Sequence, residues 1–130
     1  MRRSRSMCPR RLWVCLACIV ALTATLGSCG RFKDEADAKF GDQHFKTAVA
    51  LVELHRLRFG NYPASLGELK FTGDWDAIAL SAVEYERLPD AYRLDITRGW
   101  VGSPGLSYPT EFWQGLGLKQ SNVKRGAPAT

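Results

Sequence analysis

Residues 34–59 carry apolar side chains at helical spacing, together with charges that suit a helix. Acidic residues lie at the start of this segment, and Arg56 and Arg58 lie near its end, an arrangement that the helix dipole favours. Gly60 follows as a natural C-cap. The segment therefore predicts a helix, and one face of it collects the apolar positions that we expect to be buried: Phe45, Ala48, Val49, Val52 and Phe59.

The segment that follows this helix favours turns. Ser65 and Glu68 have the spacing of a capping box, which predicts a single helical turn or a short helix. Residues 71–79 contain Trp75 between two aspartates and are expected to form a loop. No long regular element is predicted between the helix and residue 82.

Beyond residue 82 the apolar positions alternate with polar ones, which is typical of strands. Residues 83–86 and 92–97 show this alternation on either side of Pro89-Asp90, a turn signal, so they predict an antiparallel hairpin. Leu94 lies on the apolar face of its strand and is expected to be buried. Further short strands are expected at 100–101 and 106–108, on either side of a turn rich in Gly and Pro.

These elements predict an α+β fold, in which a long N-terminal helix packs on a small antiparallel sheet of three to four strands. We place this single domain at residues 36–118, after a short tether at 29–35. Residues 119–130 are mostly polar and contain Gly and Pro, so we expect them to form a flexible tail.

The N-terminus has the composition of an export signal. Residues 1–11 are rich in arginine, and residues 12–26 are uncharged and mostly apolar. A basic lead followed by an apolar stretch of about 15 residues is typical of a secretory signal, whereas a membrane span needs about 20. The stretch ends in Leu26-Gly27-Ser28-Cys29, which resembles the lipobox of bacterial lipoproteins.

The lipobox resemblance implies a specific modification. A signal peptide of residues 1–28 is cut between Ser28 and Cys29, and Cys29 receives the acyl chains that hold the protein in a membrane. Gly30 stands where an Asp favours retention in the inner membrane, so the resemblance implies a periplasm-facing lipoprotein of the outer membrane. The alternative is an ordinary cleaved signal in which Cys29 has no role.

Charge excludes one class of partner. The chain has 130 residues and a formal net charge of +5, with 18 basic and 13 acidic residues. Five of the basic residues and none of the acidic ones lie within 1–28, so the remainder carries no net charge. An electrostatic basis for nucleic-acid binding is therefore absent from the predicted domain, and we expect no nucleic-acid partner.

The domain itself resembles the globular part of type IV pilins and of the pseudopilins of type II secretion. Residues 59–69, with Asn61-Tyr62-Pro63 and the leucines Leu66 and Leu69, are similar to the stretch that follows the long helix in those proteins. Residues 91–96 are similar to their central strand. The likeness covers about residues 40–110. It implies the same order of elements, one long helix followed by a small sheet.

The sequence departs from the pilin pattern at the start of the helix. Pilins have an apolar helix half there, whereas this chain has a charged run after Cys29 that begins at Arg31 and continues to Glu35. Unpaired charges are too costly to bury in a filament core. The resemblance therefore implies the globular half of the fold without filament assembly.

No set of residues predicts catalysis. No Cys follows Cys29, and the two histidines, His44 and His55, are separated by about 16 Å along the predicted helix. Asp74 and Asp76 offer carboxylates for a calcium ion, but a solvated loop is the simpler interpretation. Glu84 and Glu86 fit the solvent face of a strand. We therefore expect no catalytic residue, no metal site and no cofactor.

Aromatic residues supply the remaining candidates for a binding surface. Trp75, Trp100 and Trp113 are candidates for a surface that binds a sugar or a peptide, although aromatic residues in small domains more often fill the core. The sequence favours a lipid-anchored, non-enzymatic accessory or interaction module with another envelope protein as its partner. The alternative is an inhibitor or immunity-type lipoprotein that blocks a periplasmic cell-wall enzyme.

Overall fold

The computed structural model describes residues 9–126, and of residues 9–12 and 21–28 it describes the backbone only. The arginine-rich lead at 1–8 and the last residues of the predicted tail, 127–130, lie outside the described residues, as does the side chain of Ser28. The elements are two α-helices, α1 (Pro9–Phe59) and α2 (Asp74–Leu80), two 3₁₀ turns (Leu66–Glu68 and Thr110–Trp113), and five strands, β1 (Val83–Leu88), β2 (Ala91–Ile96), β3 (Ser107–Tyr108), β4 (Leu118–Gln120) and β5 (Lys124–Arg125).

Helix α1 ends where the sequence predicts but begins earlier. Its last residue is Phe59, and Gly60 follows with a φ of 80°, donating its N–H to the Arg56 carbonyl at 2.8 Å. A positive φ of this kind favours glycine. The predicted tether at 29–35 is not a separate extended segment, because these residues continue the helix without a turn signal to break it.

The chain divides into two compact units, one of residues 1–33 and one of residues 34–130. The described part of the first unit is helical, and each of its described side chains from Trp13 to Val20 is exposed. Among the residues described, no helix combines the length and the apolar character that crossing a bilayer would require. The second unit contains the other elements named above and all of the core residues that the structure describes.

The second unit is an α+β domain whose main sheet has three strands in the order β1-β2-β4. The predicted hairpin is confirmed, since β1 and β2 pair in antiparallel register and Leu88 faces Ala91 across the turn. Asp90 in that turn has a φ of 52°, which aspartate tolerates better than most residues. Strands β3 and β5 form a separate two-stranded sheet.

The expectation of an antiparallel sheet is wrong for the third strand. β4 runs parallel to β2, and β3 runs parallel to β5, so both pairings join segments that are distant in sequence. A parallel neighbour requires a long connection, whereas alternation and turn signals indicate only local hairpins. The strand expected at 100–101 does not form, and residues 71–79 are not entirely loop, because α2 begins at Asp74.

The expectation of a flexible tail at 119–130 is also wrong for residues 119–126. These residues complete β4 and contain β5, and Val123 is buried. Asn122 fixes the segment to β2, accepting from the Ile96 N–H at 2.9 Å and donating to the Ile96 carbonyl at 2.8 Å. The polar side chain of Asn122 therefore takes part in the fold instead of marking a disordered end.

The predicted core face of α1 is confirmed at four of its five positions. Phe45, Ala48, Val49 and Val52 are buried, but Phe59 is half exposed because it is the last residue of the helix. Leu94 is fully buried on the opposite side of the core. The core cluster joins this helix face to β2, Tyr62, Trp113 and the buried residues of the C-terminal segment.

A cluster of hydrogen-bonded polar groups, centred on Glu53, lies beside this core. Its carboxylate accepts from the Tyr92 hydroxyl at 3.1 Å, the Tyr62 hydroxyl at 3.2 Å and the Gly117 N–H at 2.8 Å. Burial and the adjacent carboxylate raise the pKa of both tyrosines, so both stay protonated as donors. A Cβ at Gly117 would overlap the Tyr62 hydroxyl, so the close approach of the chain to Glu53 requires glycine there.

Truncation of either side of the core should destabilise the domain. We expect Val52→Ala and Leu94→Ala each to lower the free energy of unfolding by about 2–4 kcal/mol, because each leaves a cavity between α1 and β2. Glu84→Ala is the control, since Glu84 is exposed on β1 and should change stability by less than about 0.5 kcal/mol. Urea melts of the 30–130 fragment measure all three, and equal effects at the three positions would contradict the assigned faces.

Candidate functional site

A groove of about 520 Å³ lies beside the core, between α1, α2 and the segment that follows β2. Helix α1 forms one wall, α2 forms the second, and the loop after β2 forms the third. Its lining residues are Phe40, Gln43, His44 and Thr47 from α1, Trp75, Asp76, Ile78 and Ala79 from α2, and Arg98, Gly99 and Trp100 from the loop. Volumes of about 300–1,000 Å³ with several aromatic side chains are typical of ligand sites.

Four large apolar side chains of this groove remain open to solvent. Trp75 is 80% exposed, Trp100 51%, and Phe40 and Ile78 are each 44% exposed. Isolated exposed apolar residues are common on proteins, but a contiguous set around one concavity marks an interaction site. The groove is therefore the best candidate for a binding surface in the described part of the chain.

The first turn of α2 presents Trp75 to solvent. Asp76 accepts a hydrogen bond from the Gly73 N–H at 2.9 Å, which satisfies a donor at the start of the helix. Asp74 and Asp76 both lie in this first turn, where negative charge suits the helix dipole. The carboxylates of Asp74 and Asp76, which were expected in a loop, therefore stabilise the start of α2. Trp75 lies between these two residues in the sequence.

Asp37 fixes the loop that carries Trp100. One oxygen of its carboxylate, Oδ1, accepts from three successive backbone N–H groups, those of Trp100 at 2.8 Å, Val101 at 2.6 Å and Gly102 at 2.8 Å. Asp37 is only 5% exposed. A Cβ at Gly99 would overlap the Asp37 backbone, so the loop lies against α1 as closely as glycine permits. We name residues 99–102, held by Asp37, the clamped loop.

Polar side chains lie among the aromatic ones in the groove. His44 is buried, and its ring centroid lies 6.0 Å from that of Phe40. Burial, with a smaller contribution from the positive charge of Arg98, lowers the pKa of His44. The imidazole is therefore neutral at pH 7 and offers one donor and one acceptor.

Two other polar side chains of the groove each donate one hydrogen bond within the domain. Gln43 donates to the Thr47 hydroxyl at 3.1 Å, and Arg98 donates to the Ser81 hydroxyl at 3.0 Å. Arg98 forms no ion pair with any residue that the structure describes. The groove thus combines aromatic faces with an amide, an imidazole and a guanidinium that has no carboxylate partner among the described side chains.

The structure brings together two of the three tryptophans that the sequence singles out. Trp75 and Trp100 line the groove, whereas Trp113 is buried in the core. Its ring lies 5.2 Å from that of Phe112 and 6.4 Å from that of Phe45, so Trp113 is not a surface residue.

Sequence reasoning missed most of the other groove residues. The available signal was a second face of α1, because residues 40, 43, 44 and 47 recur at spacings of three and four beside the core face. The sequence singled out Trp100 in the clamped loop, but it gave no signal that Asp37 would hold this loop against α1.

Other candidate groups are dispersed. His55 packs on Phe59, with ring centroids 4.7 Å apart, and does not reach the groove. Glu84 and Glu86 are exposed on β1. Within residues 9–126, so far as side chains are described, no group of three His, Cys, Asp or Glu side chains is placed to hold a metal ion. Cys29 is exposed within α1, as are Cys15 and Cys18.

Comparisons of the chain with protein-family models, with curated proteins and with solved structures return no match.

Asp37→Asn should release the clamped loop. An amide side chain keeps one acceptor oxygen but loses the charge that strengthens all three hydrogen bonds, so we expect the loop to be destabilised by about 1–3 kcal/mol. Hydrogen exchange of the Trp100, Val101 and Gly102 amides should accelerate, while exchange in β1 and β2 stays unchanged. Asp34→Asn is the control, because Asp34 is an exposed residue one turn earlier on α1. Equal exchange in both variants would show that Asp37 does not hold the loop.

Proposed function

We propose that this protein is a lipid-anchored envelope protein, a non-enzymatic binding module that contacts another component of the envelope through the groove. The observation that carries this proposal is the set of exposed aromatic side chains around one concavity, with Trp75 and Trp100 on walls that are fixed by hydrogen bonds. Such exposure contributes little to folding, so a partner is its simplest physical explanation.

The lipobox-like sequence supports the anchor. Leu26-Gly27-Ser28-Cys29 directly follows an apolar stretch with a basic lead, and the Cys29 side chain is exposed. Cleavage before Cys29 and acylation of that residue would attach residues 29–130 to a membrane, and two or three acyl chains are sufficient for stable anchoring. Gly30 in place of an aspartate favours the outer membrane, with the domain facing the periplasm.

The pilin-like interpretation is supported by the order of elements. A long helix ends at Phe59, the chain turns at Gly60, and a hairpin follows. Tyr62 and Pro63, which carry much of the resemblance, are buried. We propose that the domain is related to the globular part of type II secretion pseudopilins and serves as an accessory module without forming filaments.

Removal of the Cys29 thiol tests the anchor. Cys29→Ser should abolish incorporation of labelled palmitate and leave uncleaved precursor or released protein, because the hydroxyl does not accept the lipid. Cys18→Ser is the control, since that cysteine is also exposed but lies outside the lipobox. Membrane fractionation of a bacterial host that produces the full chain completes the test. Normal labelling of the Cys29→Ser protein would contradict the lipoprotein assignment.

The groove is tested by photo-crosslinking in intact cells. A benzophenone side chain at Ile78, on the α2 wall, should form adducts with an envelope component. The same group at Phe71, which is 83% exposed and lies outside the groove, is the control. Adducts from Ile78 and not from Phe71 are expected, and equal yields at the two positions would contradict a role for the groove.

A further inference from the structure

We infer that the groove binds an acidic oligosaccharide, namely a strand of cell-wall glycan whose sugars carry free carboxylates, in place of the envelope protein that the sequence favours. This inference rests on the proposed function, because the envelope location supplies the glycan. It also rests on the chemistry of the groove, which combines three features that suit a sugar chain better than a protein segment.

The first feature is the aromatic surface. Phe40, Trp75 and Trp100 lie on the three different walls of the groove. The C–H faces of a pyranose ring pack against aromatic rings, and a sugar chain presents such faces in succession. The α1 wall, from residue 40 to residue 47, is about 10 Å long, so it accommodates more than a single ring.

The second feature is the placement of polar groups between the aromatic ones. Gln43 and His44 provide planar hydrogen-bonding groups in the groove, and the His44 imidazole is neutral at pH 7. Sugar hydroxyls both donate and accept hydrogen bonds, so they can pair with the donor and the acceptor atoms of these side chains. An apolar peptide segment would remove the same groups from water without replacing their hydrogen bonds, which is unfavourable.

The third feature is charge. Arg98 lines the groove and has no acidic partner in the described part of the chain, whereas the Asp76 carboxylate already accepts from the Gly73 N–H. Both side chains are charged, but the Arg98 guanidinium has no acidic partner among the described residues, whereas the Asp76 carboxylate stabilises the start of α2. A carboxylate on the ligand would pair with the Arg98 guanidinium, which presents several N–H donors in one plane.

Two matched tetrasaccharides test the inference by isothermal titration calorimetry on the full chain in detergent. The acidic probe alternates N-acetylglucosamine with N-acetylmuramic acid bearing free carboxylates, and the neutral probe is chitotetraose, which lacks those acids. We expect the acidic probe to bind about ten- to a hundredfold more tightly than the neutral one, since a hydrogen bond to a charged group contributes that much.

Variants assign the binding to the groove. Trp75→Ala should weaken both probes by about tenfold or more, because both lose the ring that they stack on. Arg98→Ala should weaken only the acidic probe and so remove the preference for it, a result that a general loss of structure would not give. Phe71→Ala and Arg87→Ala are the controls, since both residues are exposed and lie outside the groove, and they should leave both affinities unchanged.

Three outcomes overturn the inference. These are equal affinity for the two probes, a preference that survives Arg98→Ala, and binding of neither probe. If neither probe binds while the Ile78 crosslinker captures a protein, the acidic-glycan assignment fails and the groove remains a binding surface. If neither probe binds and the crosslinker gives no specific adduct, the assignment and the proposed function of the groove fail together.

Discussion

Acidic side chains on α1 accept hydrogen bonds from the rest of the chain, and the domain depends on this arrangement. Asp37 accepts from the clamped loop, Asp42 accepts from the Tyr108 hydroxyl at 2.8 Å, and Glu53 accepts from two tyrosines and Gly117. Each carboxylate joins the helix to a segment that lies far away in sequence. Such bonds cost more when broken than they contribute when made, because a part-buried charge is then left without partners.

The positions of these carboxylates follow from the geometry of the helix. At 3.6 residues per turn, Phe45, Ala48, Val49 and Val52 share the core face, and Asp42 and Glu53 lie along one edge of it. The groove residues of α1 form a neighbouring face, and Asp37 lies between that face and the core. One helix therefore contributes residues both to the core and to the groove. Asp37 connects the two, because its carboxylate accepts a hydrogen bond from the Trp100 N–H and so fixes Trp100 at the rim of the groove.

The groove differs from the core in what it contributes to the molecule. The core rings are packed against one another, as in the group of Phe45, Tyr108, Phe112 and Trp113, whereas the Trp75 side chain is largely exposed and that of Trp100 is half exposed. Folding gains little from an aromatic side chain that stays exposed. A ligand that covers these rings would bury their apolar surface and gain the corresponding hydrophobic free energy on binding. The fixed walls would keep the entropic cost of binding low.

The sequence by itself determined the parts of this protein that depend on near neighbours. Helical spacing predicted the core face of α1 except at Phe59, a glycine predicted the end of this helix, and alternation with a Pro-Asp turn predicted the β1–β2 hairpin. The lipobox-like run at Cys29 is also a local signal, and it stands as a prediction. Of the candidate site, the sequence singled out Trp75 and Trp100 but also Trp113, because composition does not distinguish a core tryptophan from an exposed one.

The remaining features of the fold and of the groove depend on long-range contacts, which only the tertiary structure shows. The parallel pairing of β4 with β2, the ordering of residues 119–126 and the clamped loop all join segments that are distant along the chain. A groove built from α1, α2 and a loop after β2 has no periodicity of its own, since three separate elements must meet before it exists. Local patterns determine which face of an element is apolar, whereas long-range contacts determine what that face meets.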